Sequence, residues 1–295
     1  MSLIADKKWA LKIVDVLSHG AVYLAISSAS LMYVIELLLG VEPNIYLISA
    51  AGFIAYSIYL SDRIAGFHED FINHTQRAIF VKRNKKILTI VALLSYTLGL
   101  IFISHVGYIA VFVAFVTIIA GILYGTNFIP EYVSSKYKKF KQIFLVKNLF
   151  ISSFWTLGLV GVNILPPSNT PLKTISVVVI FLFLKVFMNT ILFDARDIYG
   201  DKKKGISTLP VKLGFEKTKK IIMVINILLC LFIILVVFIG WLPKVALFIN
   251  LITLYTIWYL KLLNKKNAIF VCDFIVEGED IIMAVFGYTG SILLG

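Results

Sequence analysis

Residues 194–214 read Asp-Ala-Arg-Asp-Ile-Tyr-Gly-Asp-Lys-Lys-Lys-Gly-Ile-Ser-Thr-Leu-Pro-Val-Lys-Leu-Gly and follow a long apolar run. Three of the 16 acidic residues of the chain, Asp194, Asp197 and Asp201, stand here at i, i+3 and i+7. On a helix this spacing places the three carboxylates on one face. Three lysines follow at once, Lys202–Lys204. The pattern predicts a divalent cation and a phosphorylated ligand at the end of a membrane-spanning helix.

The composition indicates an all-α polytopic membrane protein. Of the 295 residues 60% are hydrophobic, whereas soluble domains are about 45–50% apolar. The mean hydropathy is +0.94. The apolar residues come in repeated stretches of roughly 20, the length that crosses a hydrocarbon core. We predict one integral-membrane domain over 1–295 with nine transmembrane helices, at about 14–39, 44–65, 87–106, 107–128, 143–165, 172–196, 218–240, 242–263 and 275–294.

The basic residues alternate with these spans. The N-terminus and the connections after spans two, four, six and eight carry nearly all of the 28 Lys and Arg, while the opposite side has only Lys173 and Lys244. The positive-inside rule therefore predicts a cytoplasmic N-terminus, cytoplasmic polar loops and an outside C-terminus. The net charge of +12 is thereby assigned to topology and anionic lipid headgroups, which argues against nucleic-acid binding.

A second acidic cluster, Asp62, Glu69 and Asp70, stands at the end of span two on the same predicted membrane face. Two acidic groups at one depth repel each other unless cations lie between them. Magnesium, which binds carboxylates together with substrate phosphate oxygens, is the natural candidate. Alternatively, these aspartates and lysines are only solvated residues at helix ends and bind no ligand. The cations that could neutralise a diphosphate are Arg63, Arg77, Lys141, Lys147 and Lys204.

Charged residues elsewhere predict less. Lys185 falls in the middle of span six, where a lysine is costly and should face the bundle interior. Its neighbour at i+4, Asn189, lies on the same face, so a structural hydrogen bond and a role in a substrate channel are both open. Glu277, Glu279 and Asp280 open span nine, where negative charge suits a helix N-terminus.

Together these features resemble the UbiA superfamily of intramembrane prenyltransferases, which has nine helices and two aspartate-rich motifs. Residues 194–201 and the loop Gly205-x-Ser-Thr208-Leu-Pro210-x-x-Leu213-Gly214 are a close match to the second motif. The family's first motif, Asn-x-x-x-Asp-x-x-x-Asp, is degenerate: Asp62 occupies its central aspartate, but Ile58 and Gly66 replace the flanking residues. Arg77 resembles the basic residue that follows this motif in relatives, and Lys147, which begins span five before Asn148 and Trp155, resembles a basic position there.

The resemblance implies Mg²⁺-dependent transfer of a polyprenyl group from an allylic diphosphate to a lipophilic or aromatic acceptor within the bilayer. It implies that Asp62, Arg63, Asp194, Asp197 and Asp201 are catalytic. It assigns the metal to Asp62, Asp194, Asp197 and Asp201, with Glu69 and Asp70 from the next turn, and the diphosphate to Arg77, Lys141, Lys147 and Lys204. Tyr56, Tyr59 and Tyr124 are the aromatic residues expected nearest a carbocation.

Three alternatives differ in observable ways. A UbiA-type terpene cyclase uses the same diphosphate chemistry without an external acceptor. A transporter predicts charges near the bilayer midplane and internal repeats, whereas here only Lys185 lies deep. A CDP-alcohol phosphotransferase also clusters aspartates, but its Asp-Gly-x-x-Ala-Arg opening is absent from the sequence.

Overall fold

A computed structural model describes residues 19–125, 144–164, 169–203 and 205–294, without the side chains of 68–70, 72, 73, 118 and 120–125. Throughout these ranges the secondary structure is helical, as predicted. The helices are α1 (Val22–Leu39), α2 (Ile45–Asn73), α3 (Thr75–Ser104), α4 (Tyr108–Gly125), α5 (Val146–Ile164), α6 (Leu172–Arg196), α7 (Ile198–Lys203), α8 (Leu209–Leu213), α9 (Phe215–Phe238), α10 (Val245–Ile249), α11 (Ile252–Leu262), α12 (Ala268–Phe270), a π-helix (Val271–Val276) and α13 (Glu279–Leu294).

Six described segments are long and apolar enough to cross a membrane: Val22–Leu39, Ile45–Phe67, Thr75–Ser104, Leu172–Arg196, Phe215–Phe238 and Val245–Leu262. Three further helices, α4, α5 and α13, coincide with the fourth, fifth and ninth predicted spans. The chain is therefore an all-α polytopic protein, but the count of nine membrane-crossing helices is not confirmed.

The connection after the second span was predicted wrongly as a polar loop. The structure instead runs α2 to Asn73 and begins α3 at Thr75, so that His74 alone separates the two helices. No glycine or proline occurs between Gly66 and Gly99, and the lysines and arginines of this stretch are good helix formers. Helical structure thus extends well beyond the apolar residues, and the backbone bends at His74, where φ is −136°.

The helices bury apolar side chains in a large cluster and in a smaller one around Leu60 and Val81, and they keep an apolar exterior. Ile35 of α1, Leu182 and Ile191 of α6, and Ile222 and Ile233 of α9 are almost completely buried. Large apolar side chains such as Leu157 (68% exposed) also face outward. A soluble bundle rarely presents such an apolar surface, whereas lipid requires it.

Candidate active site

The aspartate-rich segment is not one continuous helix. α6 ends at Arg196, Asp197 is its C-cap residue with non-helical φ and ψ, and the short helix α7 carries Asp201. The backbone N–H of Asp201 still donates to the carbonyl of Asp197 at 3.0 Å. The expected single stripe of three carboxylates is therefore bent at its middle member. The three aspartates occupy different surroundings, and each has different partners.

Asp194 is held by the start of α5. Its side chain is completely buried, and the Lys147 ammonium donates to one carboxylate oxygen at 2.6 Å. The amide of Asn148 donates to the other oxygen at 2.8 Å. A buried carboxylate requires such compensation. Lys147, predicted to bind diphosphate, is thus placed directly beside the second motif by its contact with Asp194.

Asp197 lies between an arginine and a histidine. Arg196 donates to both carboxylate oxygens, from Nε at 3.1 Å and from its terminal nitrogen at 3.0 Å. Nε2 of His74 lies 3.0 Å from the same carboxylate. Burial by itself would raise the pKa of Asp197, but the Arg196 guanidinium and the His74 hydrogen bond outweigh it and hold that pKa well below its usual range. Asp197 is therefore ionised at neutral pH.

Asp201 differs from the other two aspartates in its hydrogen bonding. It is buried, and its Oδ2 atom has no hydrogen-bond partner among the described residues. The buried Thr208 hydroxyl of the following loop lies close enough to the Asp201 carboxyl to lower its pKa, although it makes no hydrogen bond of full geometry within the same ranges. Burial raises the pKa of the Asp201 carboxyl to about 6, although the Lys147 ammonium opposes the shift. Buried polar atoms without partners are costly, so their presence at this position favours an occupant.

The loop after Asp201 has a defined shape. The backbone N–H of Gly205 donates to the Lys202 carbonyl at 3.2 Å, and that of Ile206 donates to the Asp201 carbonyl at 2.9 Å. Gly205 has φ of +67°. These are the two bonds of a Schellman motif, which glycine accommodates without strain. The glycine of the sequence motif therefore follows the C-terminal end of α7, four residues after Asp201, and turns the chain towards Thr208.

The first motif is only partly placed. Asp62 is exposed on α2, the adjacent Arg63 is buried, and Arg77 of α3 is half-buried. α2 packs against α7, the helix that carries Asp201. The side chains of Glu69 and Asp70, together with Lys141, Lys204 and the side chain of Tyr124, lie outside the described residues.

The side chains predicted to bind the metal can be compared with the ligands that magnesium requires. Within the described ranges no three His, Cys, Asp or Glu side chains converge so as to hold a metal ion. Asp62 is accordingly not brought together with the second-motif aspartates as a ready-made cage. The donor set nevertheless fits magnesium, a hard cation that needs only one or two carboxylates beside substrate oxygens. Asp201 supplies a buried oxygen that has no hydrogen-bond partner among the residues of these ranges, and the charges of Asp194 and Asp197 lie near enough to influence its pKa.

Several polar residues of the bundle were not recognised in the sequence. His74 and Asp273 both approach Asp197 or its partner Arg196, yet neither belongs to a motif. Glu279 was expected to serve a helix N-terminus, but its side chain is fully buried and accepts a hydrogen bond from Lys185. Lys185 does not pair with Asn189 as considered. The sequence signal for this pair was the lone deep lysine, which requires a carboxylate somewhere in the bundle.

An apolar cleft adjoins the site along α5. Asn148, which binds Asp194, is followed on the same helical face by Trp155, Leu159 and Val162 at i+7, i+11 and i+14, and these three line the cleft. Residues of α1, α2, α3 and α4 complete it, among them Met32, Ala51, Ile54, Ile103 and Ala114. Towards the polar end Tyr59 stacks on Trp155, with ring centroids 5.9 Å apart. The cleft therefore lies along α5 beyond the residues that bind Asp194.

Comparison with known proteins gives one curated relative and several solved structures. The digeranylgeranylglyceryl phosphate synthase of Methanocaldococcus jannaschii is 31% identical over 142 residues, which are 47% of this chain and 42% of that protein. The chain thus matches less than half the length of this relative. A UbiA homologue from Archaeoglobus fulgidus bound to GPP and Mg²⁺ has a TM-score of 0.62 at 16% identity, covering 94% of this chain and 99% of that one. A digeranylgeranylglyceryl phosphate synthase structure has a TM-score of 0.56 at 18% identity, covering 92% and 98%.

At these identities the solved structures show a shared fold, and the family assignment has separate evidence. The model of the UbiA prenyltransferase family matches residues 25–274. This range includes the degenerate first motif, the whole second motif and the α5 residues that bind Asp194. Because the match covers most of the chain, this protein belongs to the UbiA prenyltransferase family.

Proposed function

We propose that this protein transfers a polyprenyl group from an allylic diphosphate to a lipophilic or aromatic acceptor in the membrane, with Mg²⁺ as cofactor. The observation that carries the proposal is the buried Oδ2 of Asp201, which has no hydrogen-bond partner in the part of the chain that the structure describes. It lies within a second motif whose other two aspartates are matched by Lys147 and Arg196. The family membership of the chain and the ligands of its solved neighbour, GPP and Mg²⁺, support it.

Residues of the bent segment would hold the head of the donor. Asp201 and Asp197 are the ligands proposed for magnesium, with Asp62 from α2 and Asp194 in support. When bound, magnesium neutralises the diphosphate and stabilises it as a leaving group. Lys147 and Arg77 provide fixed positive charge towards the same group. Arg63 is buried close to the charges of Arg77 and Arg196. Glu69, Asp70, Lys141 and Lys204 stay proposals from the sequence.

The apolar cleft would hold the tail. Heterolysis of the allylic C–O bond leaves its electron pair on the diphosphate, and the acceptor then forms a bond to that carbon and loses a proton. The allylic cation must be kept from water in the interval. Trp155 lines the cleft, and Tyr59 stacks on it. The faces of these two aromatic rings suit such a cation.

The orientation and the acceptor are parts of the proposal. We propose a single domain of residues 1–295. The positive charge at one side of the predicted spans supports an orientation with the aspartates and the N-terminus at the cytoplasmic face and the C-terminus outside. The M. jannaschii relative is named for the synthesis of digeranylgeranylglyceryl phosphate, which favours a long isoprenoid donor. The acceptor itself is left as a lipophilic molecule present in a membrane extract.

The test uses purified full-length protein in detergent with radiolabelled geranylgeranyl diphosphate, MgCl₂ and a membrane lipid extract. We expect diphosphate release and a labelled lipid product, both lost in Asp197→Asn and Asp201→Asn while the proteins remain folded. Glu216→Gln is the matched control, because the Glu216 side chain is 72% exposed and lies at the N-terminal end of α9. Full activity in either aspartate variant would overturn the metal assignment.

Omission of the extract separates the two candidate chemistries. A transferase needs the extract for product formation. A terpene cyclase releases diphosphate equally well without it and yields a product built from the donor alone. Release that is independent of both the extract and Mg²⁺ would contradict the proposed mechanism altogether.

A further inference from the structure

Arg196 is shared between two carboxylates. Its Nε and one terminal nitrogen bind Asp197, while its other terminal nitrogen donates to Asp273. The guanidinium Cζ atom of Arg196 lies 5.0 Å from the centre of the Phe193 ring. Asp273 is not part of either aspartate-rich motif and lies 77 residues beyond Arg196 in sequence. The arginine is therefore bound on one edge by a proposed metal ligand and on the other by a residue without an assigned role.

His74 approaches the same two carboxylates, Asp197 and Asp273. Its Nε2 lies 3.0 Å from Asp197, and its Nδ1 lies 4.0 Å from the Asp273 carboxylate. The side chains of His74, Arg196, Asp197 and Asp273 are 5%, 10%, 20% and 15% exposed. Charge-assisted bonds with this little solvent around them are stronger than surface ion pairs, so the group has a defined geometry.

The backbone that presents Asp273 is unusual and firmly held. Asp273 lies in the π-helix Val271–Val276, and single π-helical turns occur frequently at functional sites. The Tyr23 hydroxyl donates to the Phe274 carbonyl at 2.9 Å, and the Tyr255 hydroxyl donates to the Ile275 carbonyl at 3.0 Å. Tyrosines from α1 and α11 thus bind the carbonyls next to Asp273 and fix the direction from which it meets Arg196.

We infer that Asp273 is a positioning residue that keeps Arg196 at the diphosphate site when Asp197 binds magnesium. The inference rests on the proposed function. If Asp197 held a metal ion, its oxygen lone pairs, which now accept from Arg196, would be shared with that ion. The bond to Asp273 uses another nitrogen and another carboxylate, so it persists. The guanidinium then stays in place with Nε and one terminal nitrogen turned towards the diphosphate oxygens, for which its fork is suited.

Loss of Asp273 has two consequences under this inference. Of its two carboxylate partners, Arg196 then keeps only Asp197. The arginine therefore competes more strongly with the metal for the Asp197 carboxylate. Once Asp197 does bind metal, the arginine has no second anchor. Both effects weaken binding of magnesium and diphosphate, whereas a purely structural ion pair affects only the stability of the free protein.

The experiment measures thermal stabilisation of the full-length protein in detergent by MgCl₂ with inorganic pyrophosphate, and in parallel kcat and KM. For Asp273→Asn we expect the half-saturating pyrophosphate concentration and the donor KM to rise roughly tenfold, with a smaller change in kcat. Asp273→Glu should recover part of the affinity, and Glu216→Gln should match the original protein. Unchanged affinity in a folded Asp273→Asn variant would overturn the inference and leave the proposed function intact.

A double-variant cycle tests whether Asp273 acts through Arg196, with Asp273→Glu in place of Asp273→Asn if the latter folds poorly. Because Asp273 acts through Arg196, adding Asp273→Asn to Arg196→Gln should cost no further affinity. Independent, additive losses would show that Asp273 acts by another route. If the original protein itself gains no stability from magnesium and pyrophosphate, the proposed function fails, and the inference fails with it.

Discussion

Lys185 of α6 donates a hydrogen bond to the carboxylate of Glu279 at the start of α13, in the interior of the bundle. The two side chains are 3% and 0% exposed. Glu279 also accepts from the Thr256 hydroxyl at 2.5 Å and from the Tyr259 hydroxyl at 3.4 Å, both on α11. One ion pair thus joins three helices through a network with several hydrogen-bonding partners.

Removal of one member of this pair should be far more harmful than removal of both. Lys185→Met leaves a buried carboxylate without its counter-ion, which costs about 3–5 kcal/mol of stability. Lys185→Met with Glu279→Gln leaves no net charge. The amide oxygen still accepts from one of the two hydroxyls, Thr256 or Tyr259, and the amide N–H can donate to the other hydroxyl oxygen, so most of the loss should be recovered. Unfolding free energies in detergent measure this cycle. Single variants as stable as the original protein would show that the pair contributes nothing.

The sequence predicted that Lys185 faces the interior of the bundle, but it did not identify the residue that pairs with it. Local spacing drew attention to Asn189, whereas Glu279 is 94 residues away and looked like an ordinary residue of a helix N-terminus. The same holds for His74 and Asp273, whose contacts depend on how distant helices cross. Asp194, Asp197 and Asp201 could be predicted because their spacing is local and recurs in a motif. The bend at Asp197 could not, since no glycine or proline marks it.

Asp201→Asn should stabilise the metal-free protein. The raised pKa of Asp201, about 6 against an ordinary 3.8, means that the folded state favours the protonated carboxyl. The corresponding stability is present below about pH 4 and is lost as the pH rises through 6. Asparagine does not ionise, so the variant should exceed the original protein by roughly 1–3 kcal/mol at pH 7.5 and match it at low pH.

Magnesium should reverse this order. With MgCl₂ and pyrophosphate at pH 7.5, the original protein gains stability from the bound ligands, while Asp201→Asn gains little. Melting temperatures across pH 4–8, with and without these ligands, provide the measurement. A variant less stable than the original protein at every pH without metal would mean that the Asp201 carboxylate has partners in the native state.

Gly99→Ala should separate α2 from α3. A Cβ atom at Gly99 would lie 2.6 Å from Cγ1 of Ile54 and 3.3 Å from its backbone nitrogen. Such overpacking costs about 1–3 kcal/mol. Gly66, in α2, is the matched control because a Cβ there meets nothing within 4 Å. Gly66→Ala should be neutral or stabilising by up to about 1 kcal/mol, as alanine is the better helix former. Equal melting temperatures for the two variants would contradict the close approach of the helices.

Val162→Phe should shorten the prenyl chain that the enzyme accepts, if the cleft holds the donor's tail. Val162 lies 14 residues after Asn148 on the same face of α5, which corresponds to about 21 Å along the helix. The side chain lines the cleft, and phenylalanine would narrow its distant end without reaching the polar site. We expect kcat/KM to fall at least roughly tenfold for geranylgeranyl diphosphate, equivalent to about 1.4 kcal/mol. The value of kcat/KM for geranyl diphosphate should change little, because the shorter chain ends before Val162.

The control variant is Leu157→Phe, which adds the same ring on the lipid-facing side of α5, where Leu157 is 68% exposed. It should leave kcat/KM unchanged for both donors. Equal losses for the two donors in Val162→Phe would point to general misfolding of α5, and no loss for either would place the tail elsewhere in the bundle.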